Sequence, residues 1–341
     1  MTDDRAALAG AFVAKSGWTD ATRIVIAGDA SNRSYQRLTR ADGSTAVLMD
    51  APPQKGEDTR PFIQVTELLR AQGLSAPALL ASDIKNGFLL IEDLGDDLFA
   101  RVMERDPALE RPLYEAAVDV LLDLHRAPLP DLPAYDSKAM TPLAALAYDW
   151  YLPGATGVAD QEAKSRFEAS CATVLALLDP HLTALVQRDY HAENLLWLPD
   201  RSGSARVGLL DYQDAMRGHP AYDLVSILQD ARRDVSPRIE RDMIARYTAG
   251  SGLNSDEFAA AYALLGMQRN MRILGVFARL SLCHGKPHYV DLIPRVWEHV
   301  MRNLQHPALA KVAPIVTADL PAPTQIILQT LKDKCATIPR P

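Results

Sequence analysis

The sequence predicts an α+β protein with a small β-rich N-terminal lobe, residues 1–95, and a larger, mostly helical C-terminal lobe, residues 96–341. Two observations lead to this fold class. Short β-branched or apolar runs separated by polar turns fill the first part of the chain, and apolar residues at helical spacing dominate the rest. The polar segment over residues 92–95 separates the two patterns and is the predicted boundary between the lobes.

The N-terminal elements follow from turn residues and strand-forming runs. Leu8, Phe12 and Val13 share one face of a helix predicted over residues 1–17, and Gly17 suits its end. Three short strands with tight turns predict a small antiparallel sheet over residues 22–26, 35–39 and 45–49. A helix over 62–72 and a strand pair over 78–83 and 87–91, joined by a Lys-Asn-Gly turn, complete this lobe.

The C-terminal part has helical periodicity through most of its length. Residues 106–125 predict one helix, with a single apolar face formed by Leu113, Ala117, Val120, Leu121 and Leu124. Residues 308–323 are interrupted by prolines. Further helices are predicted over residues 142–151, 160–178, 220–232, 237–249, 255–282, 289–305 and 324–334.

Composition and charge argue against several functional classes. The chain has 341 residues, of which 48% are hydrophobic and 23% charged, as in an ordinary globular protein. The net charge of −7 argues against a nucleic-acid-binding protein, which carries an excess of basic residues. Three scattered cysteines, the lack of a signal-peptide pattern and the lack of an apolar run of roughly 20 residues predict a cytoplasmic protein without a membrane partner.

The stretch over residues 187–211 carries the residues that suggest chemistry. Asp189 and Asn194 have the D-x-x-x-x-N spacing of a kinase catalytic loop, and an apolar run ends at Asp211. In such a loop the first Asp accepts the proton of the attacking hydroxyl, and the Asn and the second Asp hold Mg²⁺. We therefore predict Asp189 as the catalytic base and Asn194 and Asp211 as metal ligands. Structural turn or helix-capping roles are the alternatives.

A small β-rich lobe, a polar hinge and a helical lobe with this motif are together typical of the protein-kinase-like two-lobe fold. That fold holds a nucleotide in the cleft between its lobes. The predicted cofactors are therefore ATP and Mg²⁺, and the predicted partner is a small-molecule acceptor.

Three segments of the larger lobe narrow the family. They are Arg188-Asp-Tyr-His-Ala-Glu-Asn194, Leu209-Leu-Asp-Tyr-Gln-Asp214 and Gly218-His-Pro-x-x-Asp-Leu224. In order and spacing they resemble the aminoglycoside phosphotransferase and choline kinase branch of the kinase-like fold. The resemblance implies an enzyme that phosphorylates an alcohol group of a small molecule.

A second set of segments narrows the resemblance further. The set comprises Leu48-Met-Asp-Ala-Pro-Pro53, Ile91-Glu-Asp-Leu-Gly-Asp96 and Gln268-Arg-x-x-x-x-Leu-Gly-x-Phe-Ala-Arg279. These segments resemble the bacterial N-acetylmuramate/N-acetylglucosamine anomeric kinases of cell-wall recycling. The resemblance implies ATP-dependent phosphorylation of the C1 hydroxyl of an amino sugar.

The third strand departs from the general kinase pattern. A kinase-like fold places a Lys there to reach the α- and β-phosphates, and Met49 stands in its place. Either another cation replaces that Lys, with Arg33, Lys55 and Arg60 as candidates, or phosphate binding depends on Mg²⁺. The Met49 segment belongs to the narrower resemblance, so this departure weakens the general kinase interpretation more than the narrow one.

Nucleotide contacts are predicted from position along the chain. The turn over residues 28–34 has a single glycine where relatives have a Gly-rich loop, yet its N–H groups are still expected near phosphate. The alternative is an ordinary hairpin turn without a role in phosphate binding, which would have the same kind of sequence. The segment over 92–94 is expected to offer backbone groups to the adenine edge. The predicted nucleotide-contacting residues are Ser31, Asn32, Arg33, Met49, Glu92, Leu94 and Leu210.

The candidate residues for binding the acceptor are predicted from the chemistry of their side chains, because no motif spacing identifies them. Aromatic rings stack on sugars, and Asp or Arg side chains bind hydroxyls or a lactyl carboxylate. Surface or packing roles are the alternatives for each. The late helices carry several Arg and Lys residues, which disfavours a polycationic acceptor and favours a neutral or anionic sugar. The predicted acceptor contacts are Arg188, Trp150, Asp214, Arg232 and Arg269.

Two other interpretations stay open. The first is a kinase of an aminoglycoside, choline or homoserine within the same superfamily. The second is a pseudokinase that binds nucleotide or protein without catalysis. The missing Lys and the Gln187-Arg188 pair, where many relatives carry His-Gly or His-Arg, favour a pseudokinase. The intact Asp189, Asn194 and Asp211 favour an enzyme.

Overall fold

The computed structural model describes residues 2–26 and 32–340, apart from the side chains of residues 2 and 3. The residues group into two compact units, Met1–Ala127 with Ala192–Ala215, and Pro128–His191 with Met216–Pro341. The chain therefore passes from the second unit to the first within the predicted catalytic stretch. The lobe boundary at residue 95 stays a prediction.

A five-stranded antiparallel sheet forms the centre of the first unit. Its strand order is β1-β2-β3-β5-β4, with β1 Thr22–Ile26, β2 Ser34–Thr39, β3 Thr45–Asp50, β4 Leu79–Asp83 and β5 Phe88–Glu92. Each of these strands agrees with its predicted range to within a residue. Two short antiparallel pairs lie elsewhere, β6 Ala184–Val186 with β9 Met216–Gly218, and β7 Leu195–Trp197 with β8 Val207–Leu209.

The two faces of the central strands have different neighbours, because side chains alternate along a strand. One face contributes Leu48 and Leu90 to a core that includes Phe12 and Val13 of the N-terminal helix. The opposite face carries Val47, Met49 and Ile91, which line a cavity instead. This alternation explains why β3 and β5 are apolar at successive positions.

Helices make up most of the remaining chain. In chain order they are α1 Thr2–Lys15, α2 Arg60–Ala71, α3 Phe99–Arg105, α4 Glu110–Arg126, α5 Ser137–Ala144, α6 Leu152–Thr156, α7 Gln161–Leu175, α8 Ala221–Leu228, α9 Pro237–Ser251, α10 Ser255–His284, α11 Ile293–Asn303, α12 Ala313–Asp319 and α13 Gln325–Asp333. The first four belong to the first unit and the others to the second. The chain is therefore α+β, as predicted.

Several predicted helices have different limits. The helix predicted over residues 106–125 is a 3₁₀ turn, Pro107–Leu109, followed by α4. Asp106 caps that turn by accepting the Ala108 N–H, so helix α3 ends before it. Helices α3, α6 and α12 were not predicted. The helix predicted over 142–151 is the end of α5 followed by a π-helical turn, Ala147–Tyr151.

Helix α10 organises the second unit. It spans 30 residues and packs against α5, α8, α11 and the π-helical turn. A glycine permits the closest of these approaches, because a Cβ at Gly275 would lie 2.2 Å from the carbonyl carbon of Leu146. No helix in the described part of the chain, α10 included, is long and apolar enough to cross a bilayer.

Candidate active site

A cavity of about 300 Å³ lies within the first unit. Its apolar wall is the sheet face that carries Val47, Met49 and Ile91, and Leu210 also lines it. Its polar lining includes the segment over residues 92–96 together with Asn194 and Asp211. A pocket with apolar walls and a few convergent polar groups is typical of a small-molecule or cofactor site. Six predicted residues share this cavity, namely Met49, Glu92, Leu94, Asn194, Leu210 and Asp211.

The segment after β5 supplies backbone groups to the cavity wall. The Glu92 N–H donates to the Ala78 carbonyl at 2.8 Å, so it is not available to a ligand. The Glu92 side chain is also engaged, since it accepts the Ala78 N–H at 3.0 Å and pairs with Arg201 at 2.6 Å. By contrast, the Leu94 N–H has no hydrogen-bond partner among the described residues. Leu94 therefore offers a backbone donor that can meet the edge of a base.

An ion-pair network joins this segment to the sheet. Arg37 of β2 pairs with Asp93 at 2.6 Å and with Asp96 at 2.7 Å, and all three residues line the cavity. Hydrogen bonds to Asp96 and then Asp93 raise the pKa of Arg37, and the reciprocal bond from Arg37 lowers the pKa of Asp96. This network was not predicted from the sequence, because strand spacing does not reveal a partner 56 residues away.

Of the residues predicted to contact phosphate, some bind other residues of the chain and one lies outside the described residues. Ser31 lies outside the described residues. The Asn32 side chain donates to the Lys55 carbonyl at 3.2 Å, and Arg33 pairs with Glu57 at 2.8 Å. Arg60 pairs with Asp58 at 2.8 Å, and its side chain is 74% exposed.

A replacement for the usual third-strand Lys is therefore not evident in the candidates named from sequence. Arg33, Lys55 and Arg60 are not among the described residues that line the cavity. The cations that do line it are Arg37, which is committed to two carboxylates, and Arg101, which is exposed on α3.

The β7–β8 hairpin brings Asn194 and Asp211 together. Leu195 pairs with Leu209, so the residues just outside the hairpin ends become neighbours. The Asn194 side-chain amide donates to an Asp211 carboxylate oxygen at 3.4 Å, and Gln213 donates to the other oxygen at 2.7 Å. Amide and carboxylate oxygens are the ligands that Mg²⁺ takes in proteins, so the two side chains fit a magnesium site.

The backbone at Asp211 is held in an unusual conformation. Its φ of 57° lies in the left-handed region, which residues other than glycine rarely adopt. The next residue, Tyr212, is buried, its ring stacks on Phe62 at 5.2 Å, and its hydroxyl lies 2.7 Å from the Thr66 hydroxyl. This anchor to α2 maintains the turn. Strained backbone of this kind clusters at functional sites.

Asp189 lies in the second unit, in a loop held by a buried carboxylate. Asp223 is fully buried and accepts the N–H of Gln187 at 2.6 Å and that of Arg188 at 2.9 Å. Burial raises the pKa of Asp223 to about 7, although these two hydrogen bonds act in the opposite direction. Arg188 has a φ of 73°, and the Asp189 carbonyl accepts the His191 N–H at 3.1 Å. The loop is thus tied down on both sides of Asp189.

Arginines and tyrosines of the second unit gather near this loop. The Arg188 guanidinium lies 5.0 Å from the centre of the Tyr135 ring, and the Tyr135 hydroxyl lies 3.3 Å from that of Tyr222. Arg269 is 4% exposed, and burial together with the charges of Arg232 and Arg269 holds the pKa of His191 well below its ordinary value. Three predicted acceptor residues, Arg188, Arg232 and Arg269, therefore share one unit and one electrostatic neighbourhood.

The other two predicted acceptor residues lie elsewhere. Trp150 is half-buried in the π-helical turn, where its neighbour Asp149 pairs with Lys164 at 2.7 Å. Asp214 is exposed and belongs to the first unit. Their roles in acceptor binding stay predictions.

Comparison with known proteins assigns the chain to a class. The sequence profile of the phosphotransferase enzyme family matches residues 22–262, so the chain belongs to that family and is a kinase. A solved choline/ethanolamine kinase family protein from Mesorhizobium loti has the same fold. Its TM-score is 0.58 at 14% identity, over 93% of this chain and 99% of that one. The predicted protein-kinase-like α+β fold and the broader family resemblance are confirmed.

The narrower resemblance is confirmed as well. The chain is 39% identical to the N-acetylmuramate/N-acetylglucosamine kinase of Caulobacter vibrioides, over 92% of this chain and 96% of that one. It is 35% identical to the protein of the same name from Pseudomonas aeruginosa, over 91% and 92% of the two chains.

Proposed function

We propose that this kinase uses ATP and Mg²⁺ to phosphorylate the anomeric hydroxyl of N-acetylmuramate or N-acetylglucosamine in cell-wall recycling. The observation that carries the proposal is the similarity to the two relatives of that name, which extends over nearly the full length of each chain. The acceptor is a small amino sugar rather than a nucleic acid, in keeping with the net charge of −7. Because the reaction consumes ATP, we infer a cytoplasmic location.

The cavity of the first unit supports ATP as the donor. Its apolar wall of Val47, Met49 and Ile91 suits a planar base. The Leu94 N–H, with no partner among the described residues, suits an acceptor nitrogen on that base. Arg37 holds Asp93 and Asp96 beside Leu94, so the backbone of this segment is organised before nucleotide arrives.

Asn194 and Asp211 are the proposed ligands of Mg²⁺. Both line the cavity, and their side chains approach to 3.4 Å. When bound, Mg²⁺ neutralises charge on the phosphate oxygens during transfer. The Asp211 carboxylate also accepts a hydrogen bond from the Gln213 side-chain amide at 2.7 Å, and this bond fixes the orientation of the carboxylate.

Asp189 is the proposed base that orients and deprotonates the acceptor hydroxyl. Its carboxylate is half-buried, and its backbone is held between the Arg188 N–H bond to Asp223 and its own bond from His191. A base held in this way transfers a proton without first losing conformational freedom. The γ-phosphoryl group then passes to the sugar oxygen in line with the bond that breaks.

A substrate panel tests the proposal. Release of ADP is measured with N-acetylmuramate, N-acetylglucosamine, choline, homoserine and an aminoglycoside, and the product is examined by ³¹P NMR. We expect turnover with the two amino sugars and an acid-labile anomeric phosphate. Turnover of choline, homoserine or the aminoglycoside without the sugars would show that the acceptor is wrong, and no turnover with any compound would indicate a pseudokinase.

The proposed base is tested by Asp189→Ala, with the exposed Asp131→Ala of the same unit as its matched control. Loss of a general base lowers kcat by roughly 100- to 10,000-fold, and we expect a loss in that range. The control is expected to keep wild-type turnover. Wild-type kcat in Asp189→Ala would remove Asp189 from the mechanism.

A further inference from the structure

The second unit contains two arginines that make no ion pair with any other residue in the described part of the chain. Arg269 and Arg272 lie three positions apart on α10, so they project from one side of the helix. Arg269 is 4% exposed. Among the described residues its Nε has no hydrogen-bond partner, and its guanidinium makes one hydrogen bond, at 3.5 Å to the Gln229 carbonyl. Neither arginine has a carboxylate within ion-pair distance among the described residues. Buried cations of this kind are costly unless an anion joins them.

Arg272 is connected to the loop of the proposed base through two tyrosines, since the Arg188 guanidinium lies 5.0 Å from the centre of the Tyr135 ring. Arg272 is half-buried and donates a hydrogen bond to Tyr222, whose hydroxyl lies 3.3 Å from that of Tyr135. Burial disfavours the charged form of Arg272, but Tyr222, Tyr135 and the Asp189 carboxylate together raise its pKa above the ordinary value. Arg272 therefore stays charged, close enough to Asp189 to interact with it but not paired to it.

Arg269 adds positive potential behind Arg272. It acts electrostatically on His191 and on Asp223, the residues that flank and support the Asp189 loop. His191 is kept neutral by burial and by the charges of Arg232 and Arg269, so it does not itself supply a counter-charge. The positive charges of Arg269 and Arg272 therefore favour the binding of a further anion near Asp189.

The two sugars named for the relatives differ by one anionic group. N-acetylmuramate is N-acetylglucosamine with a lactate ether on O3, so it carries a carboxylate that N-acetylglucosamine lacks. C1 and C3 belong to the same pyranose ring. When the C1 hydroxyl meets a base, a carboxylate on the C3 ether is therefore confined to the surroundings of that base. Arg272, which is connected to the Arg188–Asp189 segment through Tyr222 and Tyr135, is positioned for such a carboxylate.

We propose that Arg272, with Arg269 behind it, binds the lactyl carboxylate of N-acetylmuramate and makes this enzyme favour that sugar over N-acetylglucosamine. This inference rests on the proposed function. Arg272 is the contact residue because it is partly accessible, and Arg269 is a positioning residue because it is buried. The γ-phosphate of ATP is another anion that a cation near Asp189 would attract, and the experiment separates the two sources.

The experiment measures kcat/KM for N-acetylmuramate, its methyl ester and N-acetylglucosamine. The wild-type protein, Arg272→Gln and Arg272→Lys are compared with Arg241→Gln, which removes one charge from the exposed surface of α9 in the same unit. Loss of one charge-assisted contact corresponds to a change of about tenfold or more. We expect the wild-type kcat/KM to fall by this factor when the methyl ester replaces N-acetylmuramate. We expect the same fall for N-acetylmuramate when Arg272→Gln replaces the wild-type protein.

Turnover of the other two sugars distinguishes binding from folding. We expect Arg272→Gln to act on N-acetylglucosamine and on the methyl ester within roughly threefold of wild type, and Arg272→Lys to recover part of the N-acetylmuramate activity. Arg241→Gln is expected to match wild type with all three sugars. An equal loss with all three sugars in Arg272→Gln would mean that Arg272 serves phosphate, the base or the fold, and the proposal would be wrong.

The wild-type protein provides a test that does not depend on a variant's stability. If esterification of the carboxylate leaves wild-type kcat/KM unchanged, no cation recognises it and the inference fails while the proposed function stands. If wild-type protein phosphorylates neither sugar, the proposed function itself has failed.

Discussion

The Asp223 carboxylate accepts the backbone N–H of Arg188 at 2.9 Å, across 35 residues of sequence. Its other oxygen accepts the Gln187 N–H at 2.6 Å, so one buried side chain binds two consecutive amides immediately before Asp189. Arg188 has a φ of 73°, a conformation that a free loop would seldom keep. Asp223 therefore stabilises the one backbone conformation that presents the proposed base.

Replacing Asp223 should affect stability and turnover together. Asp223→Ala leaves two buried N–H groups without an acceptor, and we expect the free energy of unfolding to fall by about 3 kcal/mol. Asp223→Asn keeps one acceptor oxygen and should lose roughly half as much. Urea denaturation and kcat are the measurements. A stable Asp223→Ala with wild-type kcat would show that the loop does not depend on this carboxylate.

The Arg37 network should affect nucleotide affinity more than stability. Arg37→Gln breaks ion pairs that are partly exposed, so we expect less than about 1 kcal/mol of lost stability. The KM for ATP should rise roughly fivefold, because Asp93 and Asp96 on either side of Leu94 are no longer held, while the KM for the sugar stays unchanged. Arg105→Gln is the control, since its pair with Asp97 is mostly exposed and neither residue lines the cavity. Equal ATP KM values in the two variants would contradict this role.

Two glycine substitutions should have opposite effects. A Cβ at Gly275 would lie 2.2 Å from the Leu146 carbonyl carbon, so Gly275→Ala forces α10 and the backbone of residue 146 apart and should cost about 3 kcal/mol or more. Gly10 has nothing within 4 Å of its Cβ position in α1, so Gly10→Ala should be neutral or add up to about 1 kcal/mol. Thermal and urea unfolding check both variants, and a neutral Gly275→Ala would show that α10 is less closely packed than the structure indicates.

Stability should fall in mild acid because His219 is buried. Burial, assisted by His181, lowers the pKa of His219 from 6.5 to about 4. On acidification the unfolded chain binds the proton first, so the stability that neutral His219 contributes is present above pH 6.5 and is lost as the pH falls toward about 4. Between pH 7 and pH 5 this loss is roughly 2 kcal/mol.

His219→Asn separates this effect from other buried groups. The His219 Nδ1 accepts the Ala221 N–H at 3.1 Å, and an Asn oxygen can take the same hydrogen bond without titrating. We expect the stability of this variant to change less between pH 7 and pH 5, by roughly 2 kcal/mol, in urea titrations at the two pH values. Parallel pH profiles for the two proteins would mean that His219 is not the responsible group.

Removing the charge of Asp211 should affect catalysis through Mg²⁺. For Asp211→Asn we expect kcat to fall by at least about a hundredfold and the Mg²⁺ concentration for half-maximal activity to rise. Binding of ADP without Mg²⁺, measured by calorimetry, should stay unchanged, because the cavity's apolar wall and Leu94 are intact. An unchanged Mg²⁺ requirement would exclude Asp211 as a ligand.

Most of the local secondary structure was predicted correctly from the sequence. Contacts between residues that are far apart in the chain were not predicted. The strands and α2 were predicted because turn residues and apolar runs lie next to each other in the chain. Helix α3 was not predicted, and the helix over 106–125 was predicted to begin too early, because Asp106 caps a 3₁₀ turn that the helical pattern conceals. The pair between Arg33 and Glu57, 24 positions apart, was not predicted either, and the phosphate contact of Arg33 stays a prediction.

The sequence by itself determined the fold class, the family and the spacing of Asp189, Asn194 and Asp211, because each of these depends on residues that are close together in the chain. Only the tertiary structure decided that the Asn194 and Asp211 side chains approach to 3.4 Å, that Arg37 holds Asp93 and Asp96, and that Arg269 is buried without an ion pair to any described residue. The physical reason is that hydrogen bonds, ion pairs and burial depend on which distant segments pack together, and residue type alone does not specify those partners.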